Sequence, residues 1–140
     1  TMDGANVEIH EAVGAENIFI FGMSSEEAEA TAKNGYDPTF YYNTDKDIKR
    51  VIDYMRSGIA GISFTELADT LLMGRVPDPY MVLKDFRSYV SAQNELDKAY
   101  SDRERWYRMS LINIANAGFF AADRSVAEYA ERIWNLDRVK

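Results

Sequence analysis

His10 is the only histidine in the chain and lies between Glu8 and Glu11. Carboxylates beside an imidazole raise its pKa, so this trio has the types needed to hold a proton. It does not have the types needed for zinc: there is no second histidine and no cysteine in the sequence. The expectation is a surface histidine on a short acidic helix. Asp3, Gly4, Asn6 and Glu8 resemble a loop of oxygen ligands. A calcium loop needs ligands at alternating positions over about 12 residues with a closing Glu, and that pattern is missing. A turn held by Asx-type backbone bonds is the expected role. The pairs Glu8 with Glu11 and Glu26 with Glu27 fall on predicted helices, where first-turn carboxylates favour the helix dipole. Gly58 and Gly61 bracket Ile59 and Ala60 but lack the spacing of a phosphate loop, and no GxSxG elbow occurs. Residue type and spacing thus assign no catalytic residue, no metal ligand and no cofactor contact. Phe40, Tyr41 and Tyr42 follow Asp37 and Pro38. Such rings line sugar sites, but a hydrophobic anchor before a helix is the commoner use. Trp106 and Trp134 lie on apolar stripes and are expected in the core.

The charge is unevenly placed. The chain of 140 residues has a net charge of −7, from 16 Lys plus Arg against 23 Asp plus Glu. Residues 1–32 hold seven acidic groups and no Lys or Arg; the remaining 108 residues balance at 16 of each sign. That excludes nucleic acid as a partner, because phosphate backbones demand clustered Lys and Arg. It also excludes an electrostatic grip on anionic membranes. No apolar run reaches the ~18 residues of a membrane span, and no charged-then-apolar signal peptide opens the sequence. Hydrophobic residues at 46% and aromatics at 13% belong to a folded chain with a real core or a large buried interface. The lack of cysteine fits a reducing compartment.

The elements that must position these residues are mostly helices. Ser24 with Glu27 predicts a capping box before a helix ending near Gly35. Thr44 is expected to cap a helix whose Ile48, Val51, Ile52 and Met55 share one face, with Gly58 ending it. Ser63 with Glu66 predicts a second capping box, followed by Leu67, Leu71 and Leu72 and stopped by Gly74. Pro77, Asp78 and Pro79 form a rigid connector. Asp85 is the expected N-cap of a helix reaching about Tyr100, with Phe86, Tyr89, Val90, Gln93 and Leu96 on a stripe. Asp102 caps the next, which carries Trp106, Met109, Leu111 and Ile112. Asp123 or Ser125 caps the last, whose Val126, Tyr129, Ala130, Ile133 and Trp134 have the clearest helical spacing.

One segment breaks the pattern. Ile18 to Phe21 is a continuous apolar run closed by Gly22. It reads as a strand buried on both faces, as in a parallel sheet. Such a strand needs neighbours joined by crossover helices, and no second strand of that quality follows. The sheet is therefore expected upstream of Thr1, and the chain is expected to be a piece of a longer protein.

Longer motifs carry a resemblance. The opening TMDGANVE (Thr1 to Glu8) is followed by ENIFIFG (Glu16 to Gly22). In order come Gly35–Tyr36, Tyr41–Tyr42, Tyr89–Val90, Gln93 and Trp106. Asn113 to Gly118 (NIANAG) then precedes Asp123–Arg124 and the closing Tyr129, Ala130, Ile133 and Trp134. Over essentially its whole length the sequence resembles the C-terminal sixth or so of the glycogen, starch and maltodextrin (α-glucan) phosphorylases.

The resemblance implies a parent of two Rossmann-like domains in a GT-B type architecture, with pyridoxal phosphate in the C-terminal one. It implies phosphorolysis of an α-1,4-glucan to glucose 1-phosphate, with the cofactor's phosphate as proton donor and acceptor. The family's Schiff-base lysine lies shortly upstream of the residues matching TMDGANVE. Lys33, Lys46, Lys49, Lys84, Lys98 and Lys140 all lie downstream. Residues 1–22 are then the tail of the cofactor domain (turn, short helix, strand), and residues 23–140 a helical region packing on it. Asp3, Gly4 and Asn6 are implied scaffold near the cofactor site, not catalysts. The expectation is a mostly α-helical fragment with one short buried strand, inactive alone and binding no cofactor. Its partners are the upstream remainder of the polypeptide, with α-glucan and phosphate as the parent's substrates. The parent is expected to be a cytoplasmic homodimer, and the fragment is expected to self-associate or rearrange through its exposed apolar run. A free-standing acidic helical module that binds a partner protein is the alternative. Ala121 and Ala122 stand where the family often has two serines, which leaves Asp123 as the expected cap.

Overall fold

Asp and Ser side chains start most of the helices, because each first turn leaves backbone N–H groups without intrahelical partners. The computed structural model describes residues 4–136. Its helices are α1 (Ala5–Val13), α2 (Ser25–Lys33), α3 (Pro38–Thr44), α4 (Lys46–Ser57), α5 (Thr65–Leu72), α6 (Val82–Ser101), α7 (Arg103–Asn116) and α8 (Ala122–Arg132), with 3-10 turns at Ala15–Asn17 and Ala117–Phe120. The described residues form two compact units, and the division falls inside α1, after Phe19 and inside α6.

The first unit holds residues 20–95 and the start of α1. Ser24 caps α2 in a full capping box: its Oγ accepts the Glu27 N–H, while the Glu27 carboxylate accepts the Ser24 N–H at 2.8 Å. Asp37 caps α3, with Pro38 at the first helical position. Asp45, not Thr44, caps α4, accepting the N–H groups of Asp47 and Ile48. The reason is that the aromatic triplet sits inside a helix of its own, α3, of which Thr44 is the last residue. Gly58 ends α4 at φ 87°, and a tight turn follows. Ala60 and Gly61 are both at positive φ, as a type I′ turn requires, and Ile59 and Ile62 exchange two backbone bonds at 2.9 Å.

The second predicted capping box does not form. Phe64 occupies the N-cap of α5, and the Ser63 hydroxyl instead accepts the Thr65 N–H in a local turn. Helix α6 also starts earlier than the sequence suggests. Its cap is Asp78, which accepts from the N–H groups of Val82 and Leu83 at 2.9 Å. Ile48, Ile52, Ala68 and Leu83 form the buried core, with Tyr41, Tyr42, Met55, Leu71, Leu72 and Phe86 packed against it. The predicted face of α4 holds at Ile48 and Ile52, the most buried large aliphatics described, and at the partly buried Met55, while Val51 is exposed.

Ile18 to Phe21 is not a strand; among the described residues, only isolated bridge positions occur, at Ser24 and at the Ile59–Ile62 pair. The backbone at Ile18 is extended, but the residues are only half-buried. A ladder needs a second strand to accept and donate along its length, and the described residues supply none. Side chains of α6 take over instead. The Gly22 N–H donates to Ser88 Oγ at 3.0 Å, the Met23 N–H donates to Asp85 Oδ1 at 3.1 Å, and Phe21 meets Tyr89 edge-on at 5.2 Å. Asp85 is thus a tether for the segment before α2 rather than a helix cap. Gly22, at φ 88°, has no room for a side chain: a Cβ there would lie 2.5 Å from the Asp85 carboxylate.

The second unit holds residues 7–19 and those from Leu96 onward. Asp102 caps α7 through the Arg105 N–H, as expected. Val13, Ala99 and Met109 are buried, as is Asn17. The Asn17 amide donates to the Val13 carbonyl at 2.7 Å, and its own carbonyl accepts from Asn113 Nδ2 at 2.8 Å. Neither Asp123 nor Ser125 caps α8: Ala121 is at the N-cap and offers no side-chain acceptor. The stripe of α8 is not core either. Val126, Tyr129, Ile133 and Trp134 are all exposed, and the Trp134 and Tyr129 rings lie 5.9 Å apart between centroids.

Candidate functional site

The residues singled out near the N-terminus sit at the start of α1. Asp3 lies outside the described residues. Gly4 is exposed at φ 53°, and a Cβ at that position would meet nothing within 4 Å. Asn6 is half-buried in the first helical turn and Glu8 is exposed. His10 is half-buried in the last turn of α1, so the expected short acidic helix forms. Among the described residues no group of three His, Cys, Asp or Glu side chains could hold a metal ion. The Glu26–Glu27 pair belongs to the α2 cap: a backbone hydrogen bond, then the Ser24 hydroxyl, holds Glu26 below the usual carboxylate range.

Pyridoxal phosphate demands cations for its phosphate and a lysine for its aldehyde. Residues 1–32 contain neither Lys nor Arg. The turn and helix α1 therefore do not fit this group by themselves, and no chemical step runs through it here.

The ionic and polar networks of this chain are braces. Asp78 is 1% exposed. Besides capping α6 it accepts the Tyr36 hydroxyl at 2.6 Å, and its backbone N–H donates to the Thr70 carbonyl at 3.0 Å. Burial, followed by the bond to Asp78, pushes the Tyr36 phenol far above its ordinary range. A carboxylate and a phenol joined in this way lock the connector between α5 and α6 onto the segment after α2. The Tyr36 phenol therefore keeps its proton at neutral pH.

Lys49, Tyr42 and Asp53 form a second network. Lys49 Nζ donates to Tyr42 Oη at 2.8 Å and to Asp53 at 2.9 Å, and Tyr42 donates to Asp53 at 2.6 Å. The bond to Tyr42, then that to Asp53, raises the Lys49 pKa; Tyr42, then Lys49, lowers that of Asp53. Both shifts favour charged, paired forms, which suits a brace of α3 on α4 rather than acid–base work. A third brace joins Arg87 to both oxygens of Asp45 and to Asp47. Sequence reasoning missed Asp78, Tyr36 and Arg87 as partners. The one local signal was Asp78 between two prolines, four residues before a helical stripe.

An apolar groove of ≈ 490 Å³ lies on the first unit, walled by Phe21, Val51, Met55, Tyr80, Phe86 and Tyr89. It holds no convergent acid–base or nucleophilic pair. The arrangement can bury apolar surface and position backbone; among the described residues it does not assemble a catalytic constellation.

The family described as carbohydrate phosphorylase matches residues 1–136. The glycogen phosphorylase of Synechocystis is 46% identical over 142 residues, covering 99% of this chain and 16% of that protein. That of Haemophilus influenzae is 42% identical, covering 100% of this chain and 17% of that protein. The liver form of Homo sapiens is 39% identical, covering 98% of this chain and 16% of that protein. The chain thus spans about one sixth of the length of the curated relatives it matches. By a match that runs from its first residue to its 136th, this chain belongs to the carbohydrate phosphorylase family.

Proposed function

We propose that this chain is the C-terminal part of a pyridoxal-phosphate-dependent α-1,4-glucan phosphorylase, which converts glucan and phosphate to glucose 1-phosphate. The observation that carries the reading is the family match across residues 1–136 at one sixth of the relatives' length. In the parent, residues 1–22 close the Rossmann-like cofactor domain, and residues 23–140 pack on it as helices. Asp3, Gly4 and Asn6 support the cofactor site without touching the reacting atoms. The lysine and the cations that hold the anionic cofactor and substrate come from the remainder of the polypeptide. The chain alone is inactive and binds no cofactor. The parent is a cytoplasmic homodimer; no described helix of this chain is long and apolar enough to cross a membrane. The reading frame before Thr1 tests the proposal. An in-frame glycine-rich segment with a lysine is expected; a stop codon there contradicts it.

One observation favours a second reading, a free-standing helical module that binds a partner protein. Tyr107, Leu111 and Ile114 fall on one face of α7 and are each more than 60% exposed. Such stripes mark association surfaces. With this face uncovered, the isolated chain is expected to sediment as oligomers in analytical ultracentrifugation. A single monomeric species at all concentrations contradicts the view that these faces need covering.

A further inference from the structure

A hollow of ≈ 400 Å³ in the first unit combines aromatic walls with hydrogen-bonding groups. It lies between the end of α2, the start of α3 and the first turn of α6. Phe40 is 59% exposed and stands edge-on to Tyr41, with ring centroids 5.3 Å apart. Lys84 Nζ reaches into the hollow's lining and donates to Thr31 Oγ1 at 2.6 Å, and an ammonium has three N–H donors. Asp37 accepts both the N–H and the hydroxyl of Thr39 on Oδ1, and a carboxylate accepts at two oxygens. Asn34 adds an amide at the rim, and Gly35 leaves the adjoining surface open, with nothing within 4 Å of where a Cβ would be.

The charge on this lining selects the ligand. The lining carries one ammonium and one carboxylate, Lys84 and Asp37, so its charges balance and do not favour a phosphate. An apolar ligand would strip water from Lys84, Asp37 and Asn34 without replacing it, which is costly. A neutral polyhydroxyl ring satisfies both sides: its apolar face covers an aromatic ring, and its hydroxyls donate to a carboxylate and accept from an ammonium and an amide. We propose that this hollow binds a neutral saccharide, with a pyranose ring on Phe40 and hydroxyls bonded to Asn34, Asp37 and Lys84. It is a surface subsite without chemistry of its own. It rests on the hollow's geometry and not on the phosphorylase reading, so its failure would leave that reading standing.

The test is a titration of the 140-residue chain with maltotriose, followed by ¹H–¹⁵N correlation spectra. Saturable shifts are expected at the amides of Asn34, Gly35, Asp37, Phe40 and Lys84. Phe40→Ala is expected to weaken binding about fivefold, the loss of one ring contact. As Phe40 is largely exposed, its helicity should be unchanged by far-ultraviolet circular dichroism; Asn34→Ala, also at an exposed position, gives an independent second variant. No shifts at tens of millimolar sugar, shifts centred elsewhere, or an unweakened Phe40→Ala chain would overturn the proposal. So would inorganic phosphate that moves the same amides in preference to the sugar.

Discussion

Asp78→Ala is expected to destabilise the first unit by about 3 kcal/mol, the sum of a lost helix cap and a stranded buried hydroxyl. The carboxylate is 1% exposed and serves three donors: the N–H groups of Val82 and Leu83 and the Tyr36 hydroxyl. Removing it leaves those donors in a site that water reaches poorly. The backbone adds to the loss, because Asp78 sits at φ 44°, where alanine is strained and asparagine is tolerated. A unit of this length has only roughly 4–11 kcal/mol of stability in all. Urea denaturation of the variant should therefore show a clearly lower midpoint, with roughly a quarter to three quarters of that stability gone. Asp78→Asn keeps one acceptor oxygen and the backbone preference, so it should recover about half of the loss. Tyr36→Phe removes one bond alone and should cost roughly 1 kcal/mol. An Ala variant within about 0.5 kcal/mol of the parent chain would show that Asp78 is not the lock between α5 and α6.

Ile52→Ala is the second large effect, expected at about 3 kcal/mol by lost transfer energy and a residual cavity. Ile52 is 1% exposed and packs with Ile48, Ala68 and Leu83, so three helices line the space it would vacate. Val51, on the same helix but 42% exposed, supplies the comparison: Val51→Ala should cost well under half as much. Equal effects at the two positions, read from urea midpoints with unchanged slopes, would mean that this core is not the one that holds α4.

What could be read from the sequence was local. The Ser24–Glu27 box, the Asp102 cap and the Gly58 stop each depend on residues three or four apart, and each forms. The amphipathic face of α4 was legible for the same reason. The failures are long-range or contextual. Asp78 and Tyr36 are 42 positions apart, so no local pattern couples them. Asp85 looks like a helix cap but is engaged by the Met23 N–H, 62 positions away. Ser63 and Glu66 have the letters of a capping box, but the chain enters α5 through Phe64. The run Ile18 to Phe21 has the composition of a buried strand, and composition alone cannot supply the strand it must pair with. The stripe of α8 has correct helical periodicity, yet periodicity says only that a face is apolar, not that anything in this chain covers it.

The same distinction governs the site. TMDGANVE marked the family, but Gly4 and Asn6 sit at an acidic helix start with no Lys or Arg among residues 1–32. Under the proposed function, the cations that hold the anionic cofactor come from elsewhere in the protein, since residues 1–32 hold none.

Under the proposed function, the cofactor lysine belongs to a part of the protein that precedes Thr1. Reducing the full-length protein with borohydride in the presence of pyridoxal phosphate, then mapping the pyridoxyl-lysine by mass spectrometry, tests it directly. The label is expected on a single lysine in a peptide that precedes Thr1, with none on the 140 residues described by this sequence. Stoichiometric label on Lys33, Lys46, Lys49, Lys84, Lys98 or Lys140 would contradict the account.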